Sequence, residues 1–414
     1  MLFETLLFSF LGVGIGVFAG MMPGMHVNTL IPLLFSLSLL LNLHPYYLAA
    51  LIVSTAISEI FINFIPSIFL GAPEEDTSLA VLPGHRLLLE GRGYEAIKLT
   101  VIGGICSLIF SLILISFFGG VFSYLYEISR PYVHYLIALV VIFMIISEKR
   151  LKKMLSALLI IMLSGMLGVI TLNSSLVPQQ NVLFPVLTGL FGLSTLLISI
   201  SERASIPKQT DETDLKISGK EILKSIALGS FAGIIVGLLP AIGISQAAVI
   251  VQHLGKAREA RSFLVTLSGI NVGNEIFSLV NLFLVGNPRS GSSVAVQRIL
   301  AELSFFDIVY LIGAICFSAG IAAVLTLHLG NKIPRFLEKL NYRAICVSVI
   351  IFIVAMIFLL TGIFGLLIAF ASTSIGLLCA YFGIRRSHCM GCLLLPSILF
   401  FSGLNPVIIS FLMI

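Results

Sequence analysis

The sequence predicts an all-α polytopic membrane protein made of two inverted-topology repeats, each of about seven apolar segments with broken helices or re-entrant hairpins. Three observations carry that prediction. The 414 residues are 58% hydrophobic and 10% charged, with mean hydropathy +1.12, whereas ordinary soluble domains carry about 25% charge. Runs such as 99–122, 155–172 and 344–360 come close to or exceed the ~20 residues that cross hydrocarbon as a helix, and they lack strand alternation. Finally, Gly12, Gly16, Gly20 and Pro23 space as G-x3-G-x3-G-x2-P, and Gly229, Gly233, Gly237 and Pro240 repeat that spacing 217 residues later.

Further matches extend the duplication. Ser58-Glu59-Ile60-Phe61 answers to Asn274-Glu275-Ile276-Phe277, Gly71-Ala72-Pro73 to Gly286-Asn287-Pro288, and Ile102-Gly103-Gly104-Ile105-Cys106 to Ile312-Gly313-Ala314-Ile315-Cys316. The division is 1–200 for the first repeat, 201–224 for a charged, exposed linker and 225–414 for the second repeat. Apolar segments cover about 3–22, 26–43, 46–71, 96–125, 132–147, 152–172 and 182–200 in the first half. In the second they cover about 221–240, 241–254, 262–286, 304–329, 344–361, 363–384 and 391–412. The opening segment carries Glu4 in place of a basic leader and reads as a membrane helix, not a signal sequence.

Basic loops give the direction. Glu148 to Lys153 is the densest basic cluster and belongs in the cytoplasm. Alternation then places the 201–224 linker, Lys256 to Arg261, the 330–343 loop and Arg385-Arg386 on the same side, and the 126–131 loop outside. Equivalent parts of the halves thus face opposite sides. The protein is expected in the cell membrane, with the lipid bilayer as its surroundings. The net charge of +5 follows from the same bias and does not indicate nucleic acid.

Three sets of residues could carry chemistry. Glycines four apart let helices approach closely, and the following prolines break them; the breaks offer Pro23, Gly24, Asn28 and Thr29 in one half and Pro240, Ser245 and Gln246 in the other. Read plainly, these are packing surfaces and kinks; read functionally, they bind substrate at mid-membrane. Glu59 shares a helical face with Thr55, Ser58 and Asn63, as Glu275 does with Asn271, Asn274, Ser278 and Asn281. Intramembrane acids are costly, so Glu59, Asn63, Asn271, Asn274 and Glu275, with Asp76, are candidates for coupling to Na⁺ or H⁺. The bland alternative is a helix end or an interhelical hydrogen bond. Two G-x-P loops complete the set, with Gly71, Pro73, Thr77 and Ser78 against Gly286, Asn287, Pro288, Arg289, Ser292 and Ser293; each either caps a helix or cradles an anion. The sequence shows no catalytic residues, no metal-ligand set and no cofactor fingerprint. His388-Cys389-x-x-Cys392 lacks a second ligand pair, and the six cysteines read as small packed hydrophobes.

The first-half order, with Leu82-Pro83-Gly84-His85-Arg86 to Gly93-Tyr94-Glu95-Ala96, resembles the large membrane subunit of tripartite tricarboxylate transporters, the TctA-like permeases. So do Gly237-Leu238-Leu239-Pro240, Asn271-Val272-Gly273-Asn274-Glu275 and Gly189-Leu190-Phe191-Gly192-Leu193. The chain departs from the usual family pattern at Glu74-Glu75-Asp76, where small neutral residues are the rule. This resemblance implies a divergent prokaryotic permease that imports a small organic anion such as a carboxylate on an ion gradient. The partners it implies are a small membrane subunit and an extracytoplasmic binding protein, beside a possible homo-oligomer. Two other readings fit the architecture: a flippase for a lipid-linked phosphate, and a non-transporting membrane scaffold or subunit.

Overall fold

A computed structural model of the chain describes all residues except 1, 23–26, 28–29, 32–33, 36–42, 73–76, 202–206, 211–213, 239–242, 255–258, 287, 301, 338–341 and 413–414. The described residues are almost wholly helical and include no strand. The first half holds α1 (Leu2–Met21), α2 (Pro45–Ile62), α3 (Phe64–Leu70), α4 (Val81–Leu89), α5 (Gly93–Ser129), α6 (Val133–Ile146), α7 (Leu151–Asn173), α8 (Leu183–Leu187) and α9 (Ser194–Ser201). A π-helical turn, Thr188–Leu193, joins the last two. The second half holds α10 (Gly219–Leu238), α11 (Ile244–Leu254), α12 (Ala260–Val285), α13 (Gly291–Leu300), α14 (Phe305–Leu337), α15 (Tyr342–Tyr381), α16 (Gly391–Phe401) and α17 (Asn405–Leu412). Among the described residues, eight helical stretches are long and apolar enough to cross a membrane.

The glycine stripes explain the central packing. A Cβ on Gly12 would lie 2.5 Å from the Leu51 carbonyl oxygen, and one on Gly229 would lie 2.6 Å from that of Thr266. Only glycine admits such backbone contact. Along α1, Gly12, Gly16 and Gly20 meet Leu51, Thr55 and Ile62 in turn; along α10, Gly229, Gly233 and Gly237 meet Thr266, Ile270 and Phe277. Contacts that advance together mean that α1 runs parallel to α2, and α10 to α12.

Those contacts also correct the register read from sequence. The partners of equivalent glycines differ by 215 positions, so Glu59 corresponds to Asn274, and Ile60 to Glu275. Gly71 and Gly286, both left-handed at φ 62° and 72°, keep that offset. The matched Ser-Glu-Ile-Phe and Asn-Glu-Ile-Phe strings are one residue out of step in space. One residue is ~100° of helix, so the two glutamates leave their helices in different directions.

The halves interlock reciprocally. α5 packs on α12 and α10, while α14 packs on α2 and α1; α2 touches α12, and α5 touches α14. Ser107 Oγ, on α5, donates to the Gly269 carbonyl at 2.9 Å, and Ser268 Oγ, on α12, donates to that of Thr100 at 2.6 Å. The most apolar window within 45–70 is wholly buried and that of α12 is 94% buried, against 22% for the window in α15. The first two are core and the last is periphery.

Other boundaries follow local chemistry. α15 would span twice the hydrocarbon thickness, but Gly362 at φ 67°, ψ −160° splits it where two segments were expected. α14 runs past residue 329 to Leu337, so Lys332 and Arg335 ride its last turns, where cations favour the helix terminus. The linker is docked in part and not simply exposed. Gln209 is buried; its Oε1 accepts from Gly93 N–H at 3.0 Å, and Thr210 N–H donates to the Gly91 carbonyl at 2.8 Å.

Candidate functional site

Polar groups gather on the described elements that flank the breaks. Glu59 is buried in α2, and its Oε2 accepts from Val27 N–H, just past the first break, at 3.1 Å. Asn63 joins α2 to α3, and its carbonyl accepts from Ser67 Oγ at 2.8 Å. Ser67 Oγ in turn lies 2.5 Å from Thr77 Oγ1. Beyond the left-handed Gly71, which ends α3, Ser78 Oγ lies 3.3 Å from Ser245 Oγ. This joins the first-half loop to the helix that follows the second-half break.

The second half builds a hydroxyl cluster around its acid. Glu275 is buried, and Oε1 accepts a short hydrogen bond from Ser292 Oγ. Ser290 Oγ lies 2.8 Å from Ser292 Oγ and 2.9 Å from Ser293 Oγ. It also accepts from Ser293 N–H at 3.3 Å, which makes Ser290 the N-cap of α13. Ser278 Oγ receives the N–H groups of Arg289 and Ser290 at 2.8 and 2.5 Å. The loop carrying Gly286, Pro288 and Arg289 is thus tied down onto α12. Asn271 turns inward, its Nδ2 donating to the Leu267 carbonyl at 3.1 Å. Gln246 is buried on α11. Between Ser262 and Leu282, Asn274 alone is not buried.

Among the described residues the predicted ones enter three separate pairings. Ser78 meets Ser245, and Glu275 meets Ser292; Thr77 pairs with Ser67, and no hydrogen bond between Glu59 and Thr77 or Ser78 occurs among the described residues. Pro23, Gly24, Asn28, Thr29, Pro73, Asp76, Pro240 and Asn287 lie outside the described residues. Ser67 and Ser290, which join these pairings, are not singled out in the sequence; each offers only a common residue type without periodic spacing.

Two ionic clusters tie loops of the bundle to one another. Arg92 and Arg261 both reach Glu95, the latter at 2.9 Å, and Lys216 N–H donates to it at 2.8 Å. His388 Nε2 lies 2.9 Å from Glu148 Oε1 in the loops near α7. Burial alone would raise the Glu148 carboxyl, but hydrogen bonds from His388 and the Arg385 N–H outweigh it and hold the group below its usual range. Burial pushes His388 below the ordinary imidazole range despite the facing carboxylate. The pair is a neutral imidazole donating to a carboxylate.

Comparison with known proteins agrees with this architecture. The family description "Tripartite tricarboxylate transporter TctA family" matches residues 6–391. An uncharacterised protein of Methanocaldococcus jannaschii, MJ1079, is 29% identical over 402 residues, 96% of this chain and 99% of that one. No solved structure matches. The match over nearly all of the membrane bundle places the chain in the tripartite tricarboxylate transporter TctA family, as a multi-pass membrane component of a transport system.

Proposed function

We propose that the protein is an ion-coupled secondary transporter for a small organic anion, working by alternating access between two inverted halves. The observation that carries the reading is the Ser78–Ser245 contact, which brings the first-half G-x-P region against the helix after the second-half break. Breaks of this kind present free N–H groups and small hydroxyls to a substrate at mid-membrane. Reciprocal helix packing supports a two-fold relation between the halves.

The side-to-side bookkeeping supports inversion. Glu148 touches His388, and Glu95 touches Arg261 and Lys216, all from loops whose charges place them in the cytoplasm. Tyr46 donates to Asp307 at 2.7 Å and Asn181 to the Leu360 carbonyl at 3.3 Å, from loops assigned outside. None of these pairs joins opposite sides. On this reading the linker is cytoplasmic, and a small membrane subunit and an extracytoplasmic binding protein supply the rest of the system. Glu275, with its ring of serine hydroxyls, is the coupling acid.

Purified protein in liposomes should accumulate labelled citrate or succinate when a Na⁺ or proton gradient is imposed. Glu275→Gln should abolish that accumulation while leaving folding intact, because glutamine still accepts from Ser292 but cannot release a proton or balance a cation. Wild-type rates in the variant would rule out the coupling role.

A further inference from the structure

We propose that Arg386 recognises a carboxylate of the transported anion, in a cavity between the first-half G-x-P region and the C-terminal turn. The proposal rests on the anion-transport reading above and gives that anion its cationic partner. A cavity of about 220 Å³ is lined by Ser78, Leu82, Phe191, Gln252, Arg385 and Arg386, among others. It opens beside the Ser78–Ser245 joint, where the halves meet.

Arg386 is only 8% exposed. Among the described residues no carboxylate lies within ion-pair distance of it. Its Nη1 is held instead by neutral acceptors: the Phe191 carbonyl at 3.3 Å, Ser194 Oγ at 3.0 Å and Thr195 Oγ1 at 2.5 Å. The π-helical turn makes this grip possible, since widening the helix turns carbonyls away from their usual partners, and such turns gather at functional sites. Gly189 allows the same turn to sit against Ser372 and the Ala369 carbonyl of α15.

A guanidinium taken out of water without an acid is expensive, and structural arginines at this burial are normally paired. Here one nitrogen is anchored, and Nε and Nη2 make no hydrogen bond among the described residues. The free edge is the planar fork that takes a carboxylate through two parallel bonds. Arg385, exposed at the mouth, adds positive potential that draws an anion inward. Gln252 and Ser78 add neutral polar groups to the lining. An anion held there lies against the joint that must open for release, so its binding and the movement of the halves are coupled.

Arginine-selective modification of the wild-type protein with phenylglyoxal, mapped by mass spectrometry, tests the assignment. Citrate or succinate should protect Arg386 while leaving the exposed Arg298 reactive. In thermal-shift titrations Arg386→Met should raise the citrate or succinate concentration for half-maximal stabilisation by about tenfold or more, and Arg386→Lys should recover part of the loss. If Arg386→Met does not fold, the lysine variant and the wild-type protection decide. Stabilisation of wild type by carboxylates with unchanged Arg386 reactivity and an unshifted Arg386→Met midpoint would overturn the inference and leave the transport reading standing. Protection by inorganic phosphate alone would overturn the carboxylate assignment. Should carboxylates neither stabilise the protein nor be taken up by liposomes, both proposals fail together.

Discussion

At the scale of single residues, buried polar groups are committed in pairs whose chemistry differs between the halves. Glu59 accepts a backbone N–H, whereas Glu275 accepts from a serine hydroxyl within a four-serine cluster. A hydroxyl can reorient as the carboxylate gains or loses a charge, and a backbone N–H cannot. On the proposed transport reading, Glu275 is for this reason the acid to test for coupling. The His388–Glu148 pair makes a separate prediction about stability. Both folded-state pKa values lie below their ordinary values of 6.5 and 4.5. The unfolded chain therefore binds more protons, so stability is full above the imidazole range and falls as pH drops, first through His388 and then through Glu148. His388→Gln should flatten the first part of the decline in melting temperature and, by removing the imidazole hydrogen bond from Glu148, weaken the second. An unaltered profile would remove His388 from the account.

Whole elements are set by close approach and by breaks. The α10–α12 pair depends on glycine at the contact, because a Cβ on Gly233 would meet the Gly273 Cα at 2.9 Å, where no side chain can give way. Gly233→Leu should cost about 1–3 kcal/mol or more through overpacking. Gly320→Leu, facing open space, should leave melting temperature and monodispersity near wild type. Equal behaviour of the two variants would contradict the packing described here. The helix pattern itself is largely legible in sequence: the two glycine stripes, the split of α15 near 362 and the serine-capped helix after the second G-x-P loop all have local causes. Less legible were α14 beyond residue 329 and the docked linker. In those places charged residues looked like loop, but helix continuation and a buried glutamine contact won.

Across the whole molecule, the two-fold relation and its direction rest on different grounds. Reciprocal packing of α5 on α12 and α14 on α2 supports two related halves, and loop charge supplies the sign. Single cysteines in a cysteine-free background should separate the sides. Positions 149 and 335 should react with a membrane-impermeant maleimide from the cytoplasmic face, and positions 132 and 302 from the opposite face. Labelling of 132 and 335 from the same face would exclude inversion, because those positions lie in equivalent parts of the two halves.

Sequence by itself determined that this chain lives in a membrane, that it carries one glycine-proline spacing twice and which family it resembles, because hydropathy, spacing and motif order are properties of the chain alone. Only the tertiary structure decided which residues the two glycine stripes meet, since a glycine's partner is fixed by backbone contact and not by matching letters. It also decided which polar residues meet. Arg386 shows this best: in sequence it is half of a basic pair marking a loop, and in the fold it is a buried cation held by one edge, facing a cavity. Burial, and the lack of an acid partner among the described residues, arise only when helices distant in sequence pack together.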